Sequence, residues 1–241
     1  MGVQMGLGLS TPKLEYMPWR NEYSLTFDGA NDHATITDVA EEIDISKGTI
    51  SCWVKFDATS INGSILKASV DANNNLALTY INSSTKLTFQ YKAGGTATKV
   101  DHSLAGVEGN DTWYHIAITW NVASDEVKAY VNGSQTGTTQ SSLGTFSGTI
   151  DAVVMGKNSL ANNSYFAGHI DNLSIFDVTK TDAEITTIYN SGKPKDMTQG
   201  FAGLIAYYVM NEGSGTTVSD DSTNNNDMTL VHAPAWTTDV P

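Results

Sequence analysis

A single cysteine, Cys52, leaves the chain without any intrachain disulfide, so its fold must be held by a packed core. Basic residues are scarce: 13 Lys and Arg stand against 26 Asp and Glu, a formal charge of −13. That balance repels phosphate backbones and anionic headgroups and argues against nucleic acid and membrane insertion. No apolar run reaches membrane-spanning length. The N-terminal stretch MGVQMGLGLSTPK has neither a basic n-region nor a long apolar h-region, so the expectation is a chain made in a cytoplasm without a secretion address. Five histidines show no paired metal spacing, and Gly213-Ser214-Gly215 lacks the lysine and helix of a phosphate-binding loop. No Ser/His/Asp arrangement suggests a nucleophile, and the expectation is a protein that is not an enzyme. Six Asn-x-Ser/Thr triplets, at Asn62, Asn82, Asn110, Asn132, Asn162 and Asn172, are what a chain rich in these residues produces by chance.

What is present in quantity is Gly, Ser, Thr and Asn between short apolar runs, with only 16% charged and 40% hydrophobic residues, as expected of many strands joined by polar turns. Residues 113–133, WYHIAITWNVASDEVKAYVNG, are the centre of the pattern. Tyr114, Ile116, Ile118 and Trp120 alternate with His115, Ala117 and Thr119. A polar turn follows, and Val127, Ala129 and Val131 then alternate as far as Asn132-Gly133. This antiparallel hairpin cannot bury its apolar face alone and requires a facing sheet.

Further strands are expected at 23–27, 33–37, 48–56, 64–70, 75–81, 86–91, 149–156, 168–176, 204–210 and 228–231, with one irregular strand in 94–111. Residues 135–148, nearly all Ser, Thr and Gly, are expected to be a long surface loop. One helix is expected: Thr181 with Asp182 and Glu184 forms a capping box, and Ile185, Ile188 and Tyr189 line one side before Asn190-Ser191-Gly192 ends it. Its expected role is to cap an edge. Residues 1–22 read as an N-terminal arm, either a flexible terminus or a docking element, because Leu14, Tyr16, Met17 and Trp19 are costly to leave in water. Residues 23–241 read as one domain. Trp53 lies opposite the apolar face of 48–56 and is either core or a stacking platform. The turn at Asp28-Gly29 crowds Asp28, Asn31 and Asp32 together, which suits either turn chemistry or a hard cation.

The succession FDGANDHATI, GTISCWVKF, WYHIAITWN, VKAYVNG, MGKN, FAGHIDNLSIF and a capped helix ending IYNSG resembles laminin-G-like or concanavalin A-like jelly-roll domains, which are related to pentraxins. The resemblance runs from about Tyr23 to the end. It implies an all-β jelly-roll sandwich of two antiparallel sheets with one short capped helix. The tail, AYYVMNEGSGTTVSDDS, resembles a segment that in such domains often precedes FDG, so its place after the helix suggests a circular permutation. The fold's glucanase relatives carry Glu-x-Asp-x-Glu on one strand; Glu42-Ile43-Asp44 lacks the third carboxylate and reads as an extended linker.

Calcium is the cofactor the resemblance brings into play, with Asp28, Gly29, Asp32 and Asp171 as its candidate ligands. Candidate ligand-binding residues are Trp53, Tyr91, Asn162, Asn163 and Tyr165. Two non-catalytic roles follow. The first is a virion surface component, such as a capsid decoration, fibre or tail protein, because such domains occur alone in bacteriophage structural proteins. It would be anchored to other virion proteins or to itself through the arm, and it could contact host glycans. The second is a free-standing, calcium-assisted lectin or adhesin, extracellular or at a cell surface.

Overall fold

The computed structural model describes residues 19–57, 62–104, 111–160 and 163–241. Within these, alternating sequences give strands β1 (Ser24–Asp28), β2 (His33–Ile36), β3 (Lys47–Phe56), β4 (Gly63–Ser69), β5 (Asn75–Ile81), β6 (Lys86–Ala93), β7 (Thr96–Ser103), β8 (Trp113–Asn121) and β9 (Glu126–Val131). The chain continues through β10 (Ser134–Gln140), β11 (Ala152–Met155), β12 (Ala167–Phe176), helix α1 (Asp182–Tyr189), β13 (Leu204–Tyr208), β14 (Thr217–Val218), β15 (Met228–Val231) and β16 (Ala235–Thr237).

Two antiparallel sheets face each other, as a jelly-roll sandwich requires. The helix-side sheet runs β10-β9-β8-β3-β12-β1-β16, and β13 pairs with β12 beyond the end of β1. The open sheet runs β14-β15-β2-β11-β4-β5-β6-β7. The central hairpin is β8 and β9, with Asn121 opposite Glu126. The inward alternations of the two sheets meet in one core. Phe27, Val54, Ile116 and Trp120 come from one side, and Leu76, Leu78, Leu87 and Phe89 from the other, each 2% exposed or less. One flank closes where Gly137 lies on Val100 and His102 Nδ1 meets Thr136 Oγ1 at 2.6 Å.

A second apolar cluster lies outside the sandwich. Ile185 and Ile188 of α1 pack on Ala117, Tyr130, Phe176 and Tyr207, so the helix covers the outer face of the helix-side sheet and is not an edge cap. The capping box forms as expected: Glu184 N donates to Thr181 Oγ1, Thr181 N donates to Glu184 Oε2 at 2.8 Å, and Asn190 ends the helix at φ 51°.

Residues expected as a loop from 135 contain β10 instead. This edge strand has no buried residue and therefore no apolar alternation to betray it, and its polarity and bulge suit an unpaired edge. Asp38–Glu42 form a short 3-10 helix that takes in Glu42, and Ile43 beyond it is extended. Glu42 accepts from Asn224 and Asn226, and Asp44 caps Ser46.

Both ends of the described chain are drawn onto the sandwich. The tail gives two strands to each sheet, and Asp239 closes it: its carboxylate accepts from Lys55 and from Trp113 Nε1, and its carbonyl accepts from Ser24 Oγ. At the other end Asn211 holds Arg20, Glu22 and Tyr23 by their backbone. Trp19 packs against the cluster under α1, so the chain is docked on its own domain from residue 19 rather than 23. Leu14, Tyr16 and Met17 lie outside the described residues.

Candidate functional site

The sequence offers two sets of candidate residues, metal-ligating and ligand-binding, and the sandwich scatters both. On the helix-side sheet a cross-strand row joins Asp171, Trp53 and His115. The Trp53 ring stacks on Tyr189 at 5.7 Å and meets His115 edge-on at 5.4 Å beneath α1. At 4% exposure Trp53 is buried against Tyr189 and His115 and has no face to offer a ligand. His115 is buried with no hydrogen-bond partner among the described residues for either ring nitrogen, and burial pushes its pKa down to about 3. Tyr91 is also closed off. It shares the inward parity of Leu87 and Phe89 and is 0% exposed; its hydroxyl donates to Ile45 O, and burial, with the charge of Asp44, lifts it to about 12.

The four candidate calcium ligands do not assemble. Asp28 Oδ1 accepts from the backbone of Ala30, Asn31 and Asp32 at 2.8 to 3.4 Å, and these bonds, Ala30 first, hold its pKa low. Gly29 turns at φ 72°, where a Cβ would meet Ala167 Cβ at 2.9 Å. Asp32 Oδ2 accepts from Asp28 N, and burial, then the Asp28 charge, raises its pKa. This is turn capping. Asp171 lies elsewhere: Asp28 pairs with Ala167, four residues away along β12 and roughly 13 Å at the usual strand rise.

Asp171 also sits at a bulge. Asp171 faces Trp53 and Ser174 faces Ser51, so β12 carries an extra residue, and Asn172 takes a left-handed φ of 48°. There Asp171 Oδ2 accepts from Asn21 Nδ2 at 2.7 Å and Oδ1 from Asn172 N, while Asn172 bonds Asn21 and Tyr207. Burial raises the Asp171 pKa well above the carboxylate range despite these bonds. The group is a structural network. No cluster of three His, Cys, Asp or Glu suited to a metal occurs among the described residues.

The outer face of the open sheet is polar, and only Tyr165 and Asn163 of the expected ligand residues lie beside it among the described residues. Register aligns one continuous row across six strands: Thr35, Val154, Lys67, Ala77, Gln90 and Lys99. Five interstrand steps of about 4.8 Å make it roughly 24 Å long. Toward one end Thr79, Thr88, Gln90, Lys86, Lys99 and Asp101 line a depression of about 400 Å³. At the other the β11–β12 connection folds back over the sheet: Asn158 Oδ1 accepts from Lys67 Nζ at 3.1 Å, and Ser159 Oγ meets Ser69 Oγ at 2.7 Å. The same connection brings half-buried Tyr165 to 6.4 Å from the His33 ring, which lies 5.7 Å from that of His232. Asn163 is exposed there, and Asn162 lies outside the described residues.

Of the expected ligand residues, therefore, Tyr165 and Asn163 flank an open polar surface, while Trp53 and Tyr91 do not. Lys67, Gln90, Lys99, Asn158 and His33 were not singled out from sequence. The four on strands showed only as the polar partners in alternating runs, which elsewhere means ordinary solvated positions, and Asn158 only as a loop residue.

A hollow of about 500 Å³ opens on the other side of the molecule, lined in part by Trp19, Arg20, Glu22, Asp196, Tyr207 and Asp221. Its carboxylates crowd one another: burial, reinforced by Glu212, Asp220 and Asp196, raises the pKa of Asp221. This disfavours anions.

A family model described as the concanavalin A-like lectin/glucanases superfamily matches residues 28–186. No curated protein matches the chain in sequence. Among solved structures, a candidate carbohydrate-binding protein from Bacteroides ovatus aligns with a TM-score of 0.65 at 17% identity over 91% of this chain; the chain spans 60% of that protein's length. A heptameric SAP-like pentraxin from Limulus polyphemus gives 0.56 at 16% identity, covering 89% of this chain and 96% of its own. The CBM40 of a Ruminococcus gnavus IT-sialidase, bound to α2,3 sialyllactose, gives 0.55 at 15% identity, covering 69% and 97%. At these identities the likeness is one of fold.

Proposed function

The chain belongs to the concanavalin A-like lectin/glucanases superfamily, and on that premise we propose that it is a non-catalytic carbohydrate-binding protein whose binding surface is the outer face of the open sheet. The observation that carries this reading is the contrast between the sheets. One outer face is roofed by α1, while the other presents a row of amide, hydroxyl and ammonium groups with Tyr165 at its margin. Sugars ask for such a surface: hydroxyls need donors and acceptors, and their C–H faces need an aromatic edge. The candidate carbohydrate-binding protein and the sialyllactose-bound module of the same fold support it.

A glycan array followed by calorimetry tests the reading. Tyr165→Ala and Gln90→Ala should each weaken binding about tenfold, near 1.4 kcal/mol, with unchanged melting. Binding that neither change affects, or no glycan bound at all, overturns it. Asp28 and Asp32 are engaged by their own turn, so chelation of calcium should leave affinity unchanged.

Display on a virion is the finer form of the proposal, with residues 1–18 as the anchor. Deleting them should abolish incorporation into particles and leave glycan binding intact. Among the described residues no helix is long and apolar enough to cross a membrane.

A further inference from the structure

The open face carries charge of the opposite sign to the chain. Against a total of −13, the outward positions of β4 to β7 hold Lys67, Lys86, Lys92 and Lys99 with one acid, Asp101. Two of the four lysines are occupied: Lys86 pairs with Asp101 at 2.6 Å, and Lys92 donates to Ala72 O at 2.8 Å. The other two share the six-strand row, Lys67 opposite Ala77, Ala77 opposite Gln90 and Gln90 opposite Lys99. Three interstrand steps separate them by roughly 14 Å.

Among the described residues, Lys67 donates to neutral Asn158 Oδ1 and forms no ion pair, and Lys99 forms none either. Burial, and then the charge of Lys92, hold the Lys67 ammonium below the ordinary lysine range, so its charge is costly as it stands. An evenly acidic surface would show neither feature. Between the two cations lies the small side chain of Ala77, 7% exposed, with Gln90 beside it in the row.

Resting on the carbohydrate reading, we propose that the ligand is an anionic glycan, a polysaccharide bearing carboxylate or sulfate groups. Lys67 and Lys99 receive two of its acidic groups, and Ala77 and Gln90 lie beneath the sugar between them. Lysine, a compact point charge, takes either kind of oxyanion.

Calorimetry on the full chain decides, using polygalacturonate, its methyl ester, dextran sulfate, dextran and a single-stranded oligonucleotide. At least one acidic polysaccharide should bind about tenfold or more tighter than its neutral counterpart and weaken with added salt, and the preferred one tells carboxylate from sulfate. Lys67→Gln and Lys99→Gln should each cost about tenfold, while Lys193→Gln, exposed and far from this row, should cost nothing. Equal binding of neutral and acidic polymers, insensitive to both lysine changes, overturns the charge assignment and leaves the carbohydrate reading standing. An oligonucleotide bound as tightly as the polysaccharides overturns the glycan. Failure of every polysaccharide, with a blank glycan array, removes both.

Discussion

The two sheets have the same construction, an inward apolar alternation and an outward mixed one, yet their outer faces end in opposite states. On the helix-side sheet Trp53, His115, Tyr130 and Asp171 disappear beneath α1 and the segments flanking β13 and Asn21. Their polar atoms are then paired or discharged, as the opposite pKa displacements of Asp171 and His115 record. On the open sheet Thr79, Gln90 and Lys99 keep their access to solvent, and Lys67 holds its charge without a carboxylate. A polar residue on a strand is therefore no guide to exposure. What decides is whether another element is laid over it, and here a single capped helix with its flanking segments makes one face structural and leaves the other open.

The sharpest way to break this contrast is to truncate one residue on each face. Trp53→Ala should lose about 3–5 kcal/mol of stability, because a buried ring leaves a cavity under the helix. Gln90→Ala should stay within about 0.5 kcal/mol. Urea unfolding measures both, and comparable losses would show that the faces do not differ.

Next in size is the response to pH. His115 is neutral in the folded chain, with a pKa pushed to about 3 from an unfolded value near 6.5. Its contribution is complete above the unfolded value and is lost as pH falls toward 3, by at most about 1.4 kcal/mol per pH unit. Asp171 works the other way. Its raised folded pKa favours the protonated acid, so its contribution declines as pH rises above the unfolded value, about 3.9. His115→Phe should flatten the acid limb and Asp171→Asn the opposing slope. Denaturation curves between about pH 4 and 8 that keep both slopes in the variants would refute the closed face.

The smallest effect concerns the roof itself. Thr181→Ala removes the N-cap and should cost about 1 kcal/mol, with Thr181→Ser restoring most of it. A thermal melt unchanged by the alanine would mean the helix is held by its apolar contacts alone.

Features set by near neighbours are legible in the chain. The bounds of β5 and β15 coincide with the alternating runs at 75–81 and 228–231, the Asp28-Gly29 turn closes on its own backbone, and Thr181 and Glu184 cap reciprocally. Tyr91 could have been placed inside from its parity with Leu87 and Phe89. Other features are hidden for definite reasons. β10 is polar on both faces, and a strand without contrast has no period to read. The resemblance groups Asp171 with Asp28, but β12 runs in unbroken register from Gly168 to Asp171 and so carries Asp171 four residues beyond Ala167, the partner of Asp28, to the separate environment of Asn172 and Asn21.

Residue order alone dictated roughly where most strands, the turns and the α-helix lie, because alternation, turn residues and caps act over a few neighbouring positions. It also required the strands to pair into a sandwich, since no single hairpin could bury its apolar side. Which outer face α1 would cover was left to the packed molecule, and so was the alignment of Lys67, Ala77, Gln90 and Lys99 in one row. Those four residues come from four strands separated by turns, and their register depends on hydrogen bonds between strands and on the shared core, which no local stretch of chain contains.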